Sequence, residues 1–265
     1  MDLARKRVLL IGCGNMGAAL AQGWQALELS GLSVFDIDAP KAAALAKETG
    51  TRAAVSLAKG LAEADIAVLA IKPQGLSQFL TDSAGLFRDG QLLISILAGT
   101  PIRKIRDGIA ARVDIVRAMP NTPALVDEGF TALCGGGPES LDAAERLFDC
   151  VGEVITVEES MMDAVTAVSG SGPAYVFHFV EGLVEAARAQ GFSDEDALAV
   201  VLQTVRGALT LLEETGEAPE ALRKKVTSPG GTTQAALEVL QRLDFKAALS
   251  EAVAAAVRRS KELGQ

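Results

Sequence analysis

The chain has 265 residues, 49% of them hydrophobic, which is enough apolar content for one large or two modest folded domains and excludes a disordered chain. Its 25 Lys and Arg against 34 Asp and Glu leave a formal charge of −9, which argues against nucleic acid and anionic membranes as partners and points to a metabolite. Cys13, Cys134 and Cys150 are odd in number and lack paired spacing, so neither a disulfide framework nor a metal cluster is expected, and the thiols read as small buried or loop residues.

In chain order, short β-branched runs alternate with alanine-rich stretches over residues 1–159, the pattern of a parallel sheet covered by helices. Strands are expected at 8–11, 32–36, 66–71, 92–96 and 114–118, then at 130–133 and 154–157. Helices are expected between them, for example at 16–27, 40–47 and 102–109. No secretory leader is visible ahead of residue 8, and the apolar stretch 175–184 is broken by His178 and Glu181, so a cytoplasmic protein is expected.

From about Met161 the strand signals stop and the remainder, residues 160–265, reads as helix. Ser193 followed three residues later by Asp196 resembles a capping box, after which Leu198, Val201, Leu202, Val205, Leu209 and Leu212 trace one helical face. Leu249, Ala252, Val253, Ala256 and Val257 form the stripe of the last helix. The helix over 174–190 is apolar on nearly every side, more than a small helical domain hides by itself, so it is expected to pack into a second subunit; burial within one large domain is the alternative.

Gly12-Cys13-Gly14-Asn15-Met16-Gly17 follows the first strand and opens a helix, and an acid, Asp36, ends the second strand about 20 residues on. In this fingerprint Gly12 permits the tight turn, Gly14 the close approach of a pyrophosphate and Gly17 the packing of helix on strand. Asp36 suits the ribose hydroxyls of NAD and repels the 2′-phosphate of NADP, although Asp38 can take that role instead. Ala70 and Lys72-Pro73-Gln74 end the next strand at the sheet's ligand-binding edge. Lys72 is either a solvated loop charge or a donor to the cofactor. Ala98 lies in a run of small residues with room for a nicotinamide ring, and Asn121 either orients its carboxamide or caps its own turn.

The rest of the chemistry is sparse. The lone histidine, His178, sits in the apolar helix and reads as a core or interface residue, and the lone tyrosine, Tyr175, has no lysine at helical spacing. A dehydrogenase that protonates a carbonyl oxygen needs such an acid, whereas a protonated cyclic imine accepts hydride without one. The stretch Val226-Thr227-Ser228-Pro229-Gly230-Gly231-Thr232-Thr233 lies between helical segments and offers hydroxyls and glycine N–H groups to a carboxylate. An ordinary helix–helix turn with a Ser or Thr cap is the plainer alternative.

These motifs, with Ser95-Ile96-Leu97-Ala98-Gly99, Arg117-Ala118-Met119-Pro120-Asn121-Thr122-Pro123 and Val168-Ser169-Gly170-Ser171-Gly172-Pro173-Ala174-Tyr175, resemble the pyrroline-5-carboxylate reductase family over almost the whole chain. The resemblance implies reduction of 1-pyrroline-5-carboxylate to L-proline with NADPH or NADH. It also implies an α/β fold with an N-terminal Rossmann-type doubly wound sheet, and an all-α C-terminal domain that self-associates as a dimer or a multiple of dimers. Carried onto this chain, it places Ser228, Gly230, Gly231, Thr232 and Thr233 on the substrate, with Thr233 at the ring nitrogen. The nicotinamide end of the cofactor falls near Ala70, Lys72, Pro73, Ala98 and Asn121. The segment Phe35-Asp36-Ile37-Asp38 departs from members that carry polar or basic residues for a 2′-phosphate. Alternatives are a reductase of another small carboxylated imine, a β-hydroxyacid-dehydrogenase-like enzyme, and a dinucleotide-sensing protein. The second of these places a lysine on its first interdomain helix, and residues 169–184 contain none. The third predicts a degraded substrate loop, and residues 228–233 are intact.

Overall fold

The computed structural model describes residues 3–27 and 29–264. The chain divides into two compact units, Met1–Pro173 with Ala255–Gln265, and Ala174–Ala254.

The first unit contains strands β1 (Arg7–Ile11), β2 (Gly31–Phe35), β3 (Arg52–Ala53), β4 (Ile66–Leu69), β5 (Leu92–Ser95), β6 (Asp114–Met119), β7 (Gly129–Gly135) and β8 (Gly152–Thr156). They form one sheet in the order β3-β2-β1-β4-β5-β6-β7-β8. All neighbours run parallel except β6 and β7. Because β1 lies between β2 and β4, the order reverses there, and a crevice opens beyond the carboxyl ends of β1 and β4. Helices α1 (Asn15–Gly23), α2 (Ala39–Thr49), α3 (Leu57–Glu63), α4 (Leu76–Ser83), α5 (Ile102–Arg106), α6 (Pro138–Asp149) and α7 (Met162–Val165) fill the connections.

Strand alternation divides the core between the two faces of the sheet. Val8 and Leu10 pack with Ile66, Val68 and Ile94 on one face, beside Leu20 and Leu147, while Leu9, Ile11, Ala67, Leu69 and Leu93 pack with Leu61 and Phe79 on the other. Trp24 is buried among the first set and donates its indole N–H to the Leu147 carbonyl at 2.6 Å, which satisfies its one polar atom.

The second unit holds helices α8 (Gly172–Ala189, from its third residue onward), α9 (Asp194–Thr215), α10 (Pro219–Lys225) and α11 (Thr232–Arg242); α12 (Phe245–Gly264) begins in this unit and ends in the first. Ser193 caps α9, its hydroxyl accepting the Asp196 N–H at 3.1 Å as its spacing predicts. Among the described residues no helix is long and apolar enough to cross a membrane.

Several element boundaries differ from expectation. The fourth strand stops at Leu69, so Ala70 and Ile71 already belong to the turn, and Asp36 is the first residue past β2. The helix expected over 16–27 ends at Gly23 and continues as a tight 3-10 turn, Trp24–Ala26, where Gly23 lies against the Val151 side chain. The two-residue strand β3 carries too short a pattern to be read from sequence. On α9 the buried stripe is Ala197 and Val201 with Val205 partly covered, whereas Leu198, Leu202 and Leu209 of the expected face are exposed. His178 is solvent-exposed, 3.1 Å from Glu181 Oε2, which excludes a place in the core.

Candidate functional site

The glycine-rich turn is built at the point where the strand order reverses. Gly12 has φ +105°, and a Cβ there would stand 2.5 Å from the Ala70 carbonyl oxygen, so only glycine lets the turn after β1 pass against the turn after β4. The two turns are stitched to their strands by Gly12 N–H to Phe35 O at 2.8 Å and Ala70 N–H to Ile11 O at 2.7 Å. Gly17 faces the Gly12 carbonyl, which brings α1 close to β1. Gly14 is the N-cap of α1, makes no side-chain cap, and has open space where a Cβ would be. A pyrophosphate fits this arrangement: bare backbone, the free N–H groups of a nine-residue helix and the positive end of its dipole.

The Asp36 carboxylate accepts the Cys13 N–H at 2.7 Å on one oxygen and the Asp38 N–H at 2.9 Å on the other. The acid is thereby fixed at the mouth of the turn, with a remaining lone pair on each oxygen to accept a ribose hydroxyl. Asp38 is committed otherwise: its side chain caps α2 by accepting the Lys41 N–H. Burial, with the Asp36 charge second, pushes the Cys13 thiol up to about 11, so it is a neutral filler of the turn.

A cavity of about 560 Å³ opens here and gathers Gly12, Gly14, Asp36, Ala70, Lys72 and Gln74. Lys72 and Gln74 are exposed on the turn that Pro73 tightens into a 3-10 step. Asn15 is exposed at the start of α1 and Met16 packs on the core. Ala98 and Asn121 stand on the next two strand-end turns, after β5 and β6, and do not line this cavity. Both polar atoms of the Asn121 amide are engaged. Oδ1 accepts the Phe130 N–H at 2.8 Å, and Nδ2 donates to Ser169 O at 3.3 Å and Ser169 Oγ at 3.2 Å. Asn121 therefore ties the turn after β6 to a π-helical turn, Thr166–Gly170.

Sequence reasoning missed Lys41 and Ile37 on this cavity. The expected sign of a phosphate site was polar or basic residues in the segment 35–38, whereas Lys41 comes from the first turn of α2 and reaches the cavity through the helix start. Ile37 is 96% exposed, an apolar surface at the cavity rim.

In the second unit, the loop between α10 and α11 has Gly230 at φ +71° and Gly231 as the N-cap of α11, with no side-chain cap. Gly231 N–H bonds to Ser228 O at 3.0 Å, Gly230 N–H to the Gln234 side-chain oxygen at 2.8 Å, and Thr227 Oγ1 to Arg223 O at 2.6 Å. The plain capped turn is thus not what forms: neither Ser228 nor a threonine hydroxyl caps the helix. The N–H groups of the first turn of α11, an 11-residue helix, are left for a carboxylate, with Ser228 exposed and Thr233 half-buried beside them.

The family described as "Pyrroline-5-carboxylate reductase dimerisation" matches residues 159–263, so the chain carries a self-association region, and "NADP oxidoreductase coenzyme F420-dependent" matches residues 7–99. A pyrroline-5-carboxylate reductase of Methanosarcina acetivorans is 37% identical over 99% of this chain and 100% of its own length. That of Escherichia coli is 37% identical over 98% of this chain and 99% of its own. Among solved structures, the Plasmodium falciparum pyrroline carboxylate reductase with NADP bound superposes with a TM-score of 0.89 at 30% identity, covering all of both chains. The chain belongs to the pyrroline-5-carboxylate reductase family.

Proposed function

We propose that the protein reduces 1-pyrroline-5-carboxylate to L-proline, taking hydride from NAD(P)H. Residues 1–159 serve as the dinucleotide-binding part and 160–265 as the substrate-binding and self-association part. The observation that carries this is the uncapped start of α11: a helix N-terminus preceded by Gly230-Gly231 and flanked by Ser228 and Thr233 has the donors to hold a small carboxylate and lacks a strong acid.

When bound, the reduced nicotinamide supplies a hydride to the imine carbon. The C=N electron pair then passes to nitrogen, and a substrate that arrives protonated becomes the secondary amine with no further proton. Ser228 and the N–H groups of the first turn of α11, from Thr232 onward, hold the carboxylate, and Thr233 Oγ1 orients the ring nitrogen. Gly12 to Gly17 hold the pyrophosphate. Asp36 receives the ribose hydroxyls and biases the site toward NADH, with Gln74 as a further cofactor contact and Ala70, Lys72, Pro73, Ala98 and Asn121 around the nicotinamide end. Self-association proceeds through the helical region as a dimer or a multiple of dimers, which covers the exposed apolar surface of α8.

The test is an assay of the purified protein with 1-pyrroline-5-carboxylate and each reduced nicotinamide in turn, following both nucleotide oxidation and proline formation. Turnover should fall roughly 10- to 100-fold in Thr233→Ala, the worth of one lost hydrogen bond to a charged group, with NADH affinity unchanged. No proline with either nucleotide, or an equal loss of NADH binding in the variant, refutes the assignment.

A further inference from the structure

The loop between β5 and α5, residues 96–101, carries Ala98 and is clasped by the last turn of the chain. Gly99 has φ +65°, and a Cβ there would stand 2.8 Å from the Ser260 carbonyl oxygen and 3.0 Å from Leu263 Cβ. The converse also holds: a Cβ on Gly264 would stand 2.5 Å from the Gly99 carbonyl oxygen. Two glycines therefore let backbone meet backbone where the end of α12 crosses this loop, within the first compact unit.

The end of α12 is itself anchored. Ser260 is only 3% exposed, and its hydroxyl donates to Asp163 Oδ1 on α7 at 2.6 Å. Just before α7, Glu159 accepts the Ile102 N–H at 2.7 Å, which fixes the far end of the loop. The same Glu159 oxygen faces the Arg117 guanidinium at 3.7 Å, and Arg117 is 4% exposed on β6, directly beside Ser95, where the loop leaves the sheet. Residues 159–163 thus hold the loop twice: through Glu159 at Ile102, and through Asp163 and Ser260 at Gly99.

We infer that Ser260, Asp163 and Gly264 are positioning residues for hydride transfer: the carboxyl-terminal turn of α12 sets the place of Ala98 and with it the nicotinamide ring. The inference rests on the assignment of Ala98 to the nicotinamide end of the site. Hydride transfer is steep in distance, and a displacement of about 1 Å at the reacting centre costs on the order of 100-fold in rate. The adenosine and pyrophosphate contacts lie on other turns, so loosening the clasp separates ring placement from dinucleotide affinity.

The experiment compares Gly264→Ala, Ser260→Ala, Asp163→Ala and Asp163→Asn with the native enzyme. ADP-ribose binding by calorimetry reports the adenosine and pyrophosphate half and the folded fraction. The fluorescence change of bound NADH reports the ring's surroundings without any substrate. Turnover with NADH deuterated at the transferred position reports the hydride step. The first three variants should bind ADP-ribose within about 2-fold of the native enzyme, lose most of the NADH fluorescence change, and turn over roughly 10- to 100-fold more slowly with a larger isotope effect. Asp163→Asn keeps the acceptor for Ser260 and should behave as the native enzyme. An unchanged fluorescence signal and isotope effect in the first three overturns the inference, as does a rate loss that merely follows the stoichiometry of ADP-ribose binding. Gly264→Ala leaves the Ser260–Asp163 hydrogen bond in place, so that variant tests the clasp even where Asp163→Ala fails to fold. If 1-pyrroline-5-carboxylate is not a substrate, the proposed reaction falls while fluorescence and ADP-ribose binding still decide the clasp; a native enzyme in which NADH gives no signal overturns it.

Discussion

The Asp36 carboxylate accepts the Cys13 backbone N–H at 2.7 Å, so the acid that follows β2 holds the glycine-rich turn that follows β1. One side chain therefore carries both the turn's shape and its charge preference. Replacing Asp36 with serine removes the charge that repels a 2′-phosphate and leaves Lys41 and Lys72 among the charged groups that line the cavity. The ratio of kcat/KM for NADPH over NADH should rise roughly 10-fold, about 1.4 kcal/mol of discrimination, while both affinities fall because the turn loses its anchor. Steady-state kinetics with the two nucleotides measures this; an unchanged ratio removes Asp36 from cofactor selection.

Gly14 gives a cleaner separation of binding from folding. A Cβ there meets nothing within 4 Å and φ is not left-handed, so Gly14→Val leaves the fold intact. Its side chain fills the space through which the pyrophosphate reaches the start of α1. The Kd for ADP-ribose should rise by about 100-fold or more, and the melting temperature should stay within a few degrees, as for other substitutions that touch no packed atom. Normal ADP-ribose affinity in a folded Gly14→Val protein contradicts the assignment of the turn.

The glycine-rich turn was legible because its residues are dictated by backbone geometry: φ +105° at Gly12 and the carbonyl it faces at Ala70 demand glycine wherever this turn occurs. The alternation of strands and helices was legible as buried β-branched runs between alanine-rich stretches, apart from the two-residue β3. Three features were not. Asn121 reads from sequence as either a nicotinamide contact or a turn cap, and only the fold brings Ser169 and Phe130 to its amide. Lys41 reaches the cavity through the start of α2, which spacing alone does not reveal. The contact between Gly99 and the turn ending at Gly264 joins residues far apart in sequence, where no local pattern records it.

Phe177 on α8 is 63% exposed, and Val176 and Phe179 beside it are also exposed, a run of apolar surface that a monomer has no reason to display. The proposed self-association through the helical region buries this surface if α8 lies in the interface. Phe177→Lys should shift the protein toward smaller species in sedimentation velocity, by at least 10-fold in the dissociation constant if the side chain sits at the centre of the interface. A size distribution identical to that of the native protein places the interface elsewhere.

The three thiols give the chain a one-sided response to alkali. Burial pushes Cys13, Cys134 and Cys150 each from 9.0 up to about 11, because the folded protein disfavours the thiolate in its interior. The folded state therefore keeps these protons at pH values where the unfolded chain releases them. Their contribution to stability is fully present below pH 9 and is lost as the pH rises to about 11, where the folded state ionises as well. Denaturation midpoints should fall across that interval. Replacing Cys134, which is fully packed between β6 and the α7 segment, with alanine should flatten the decline while lowering stability at neutral pH by about 1 kcal/mol for the lost sulfur packing. The same protonation keeps the thiols unreactive: alkylation at neutral pH should be slow in the folded enzyme and rise sharply on unfolding. Rapid labelling of Cys13 in the native protein, with or without ADP-ribose, shows instead that the turn opens to solvent and that its thiol is not the inert filler described above.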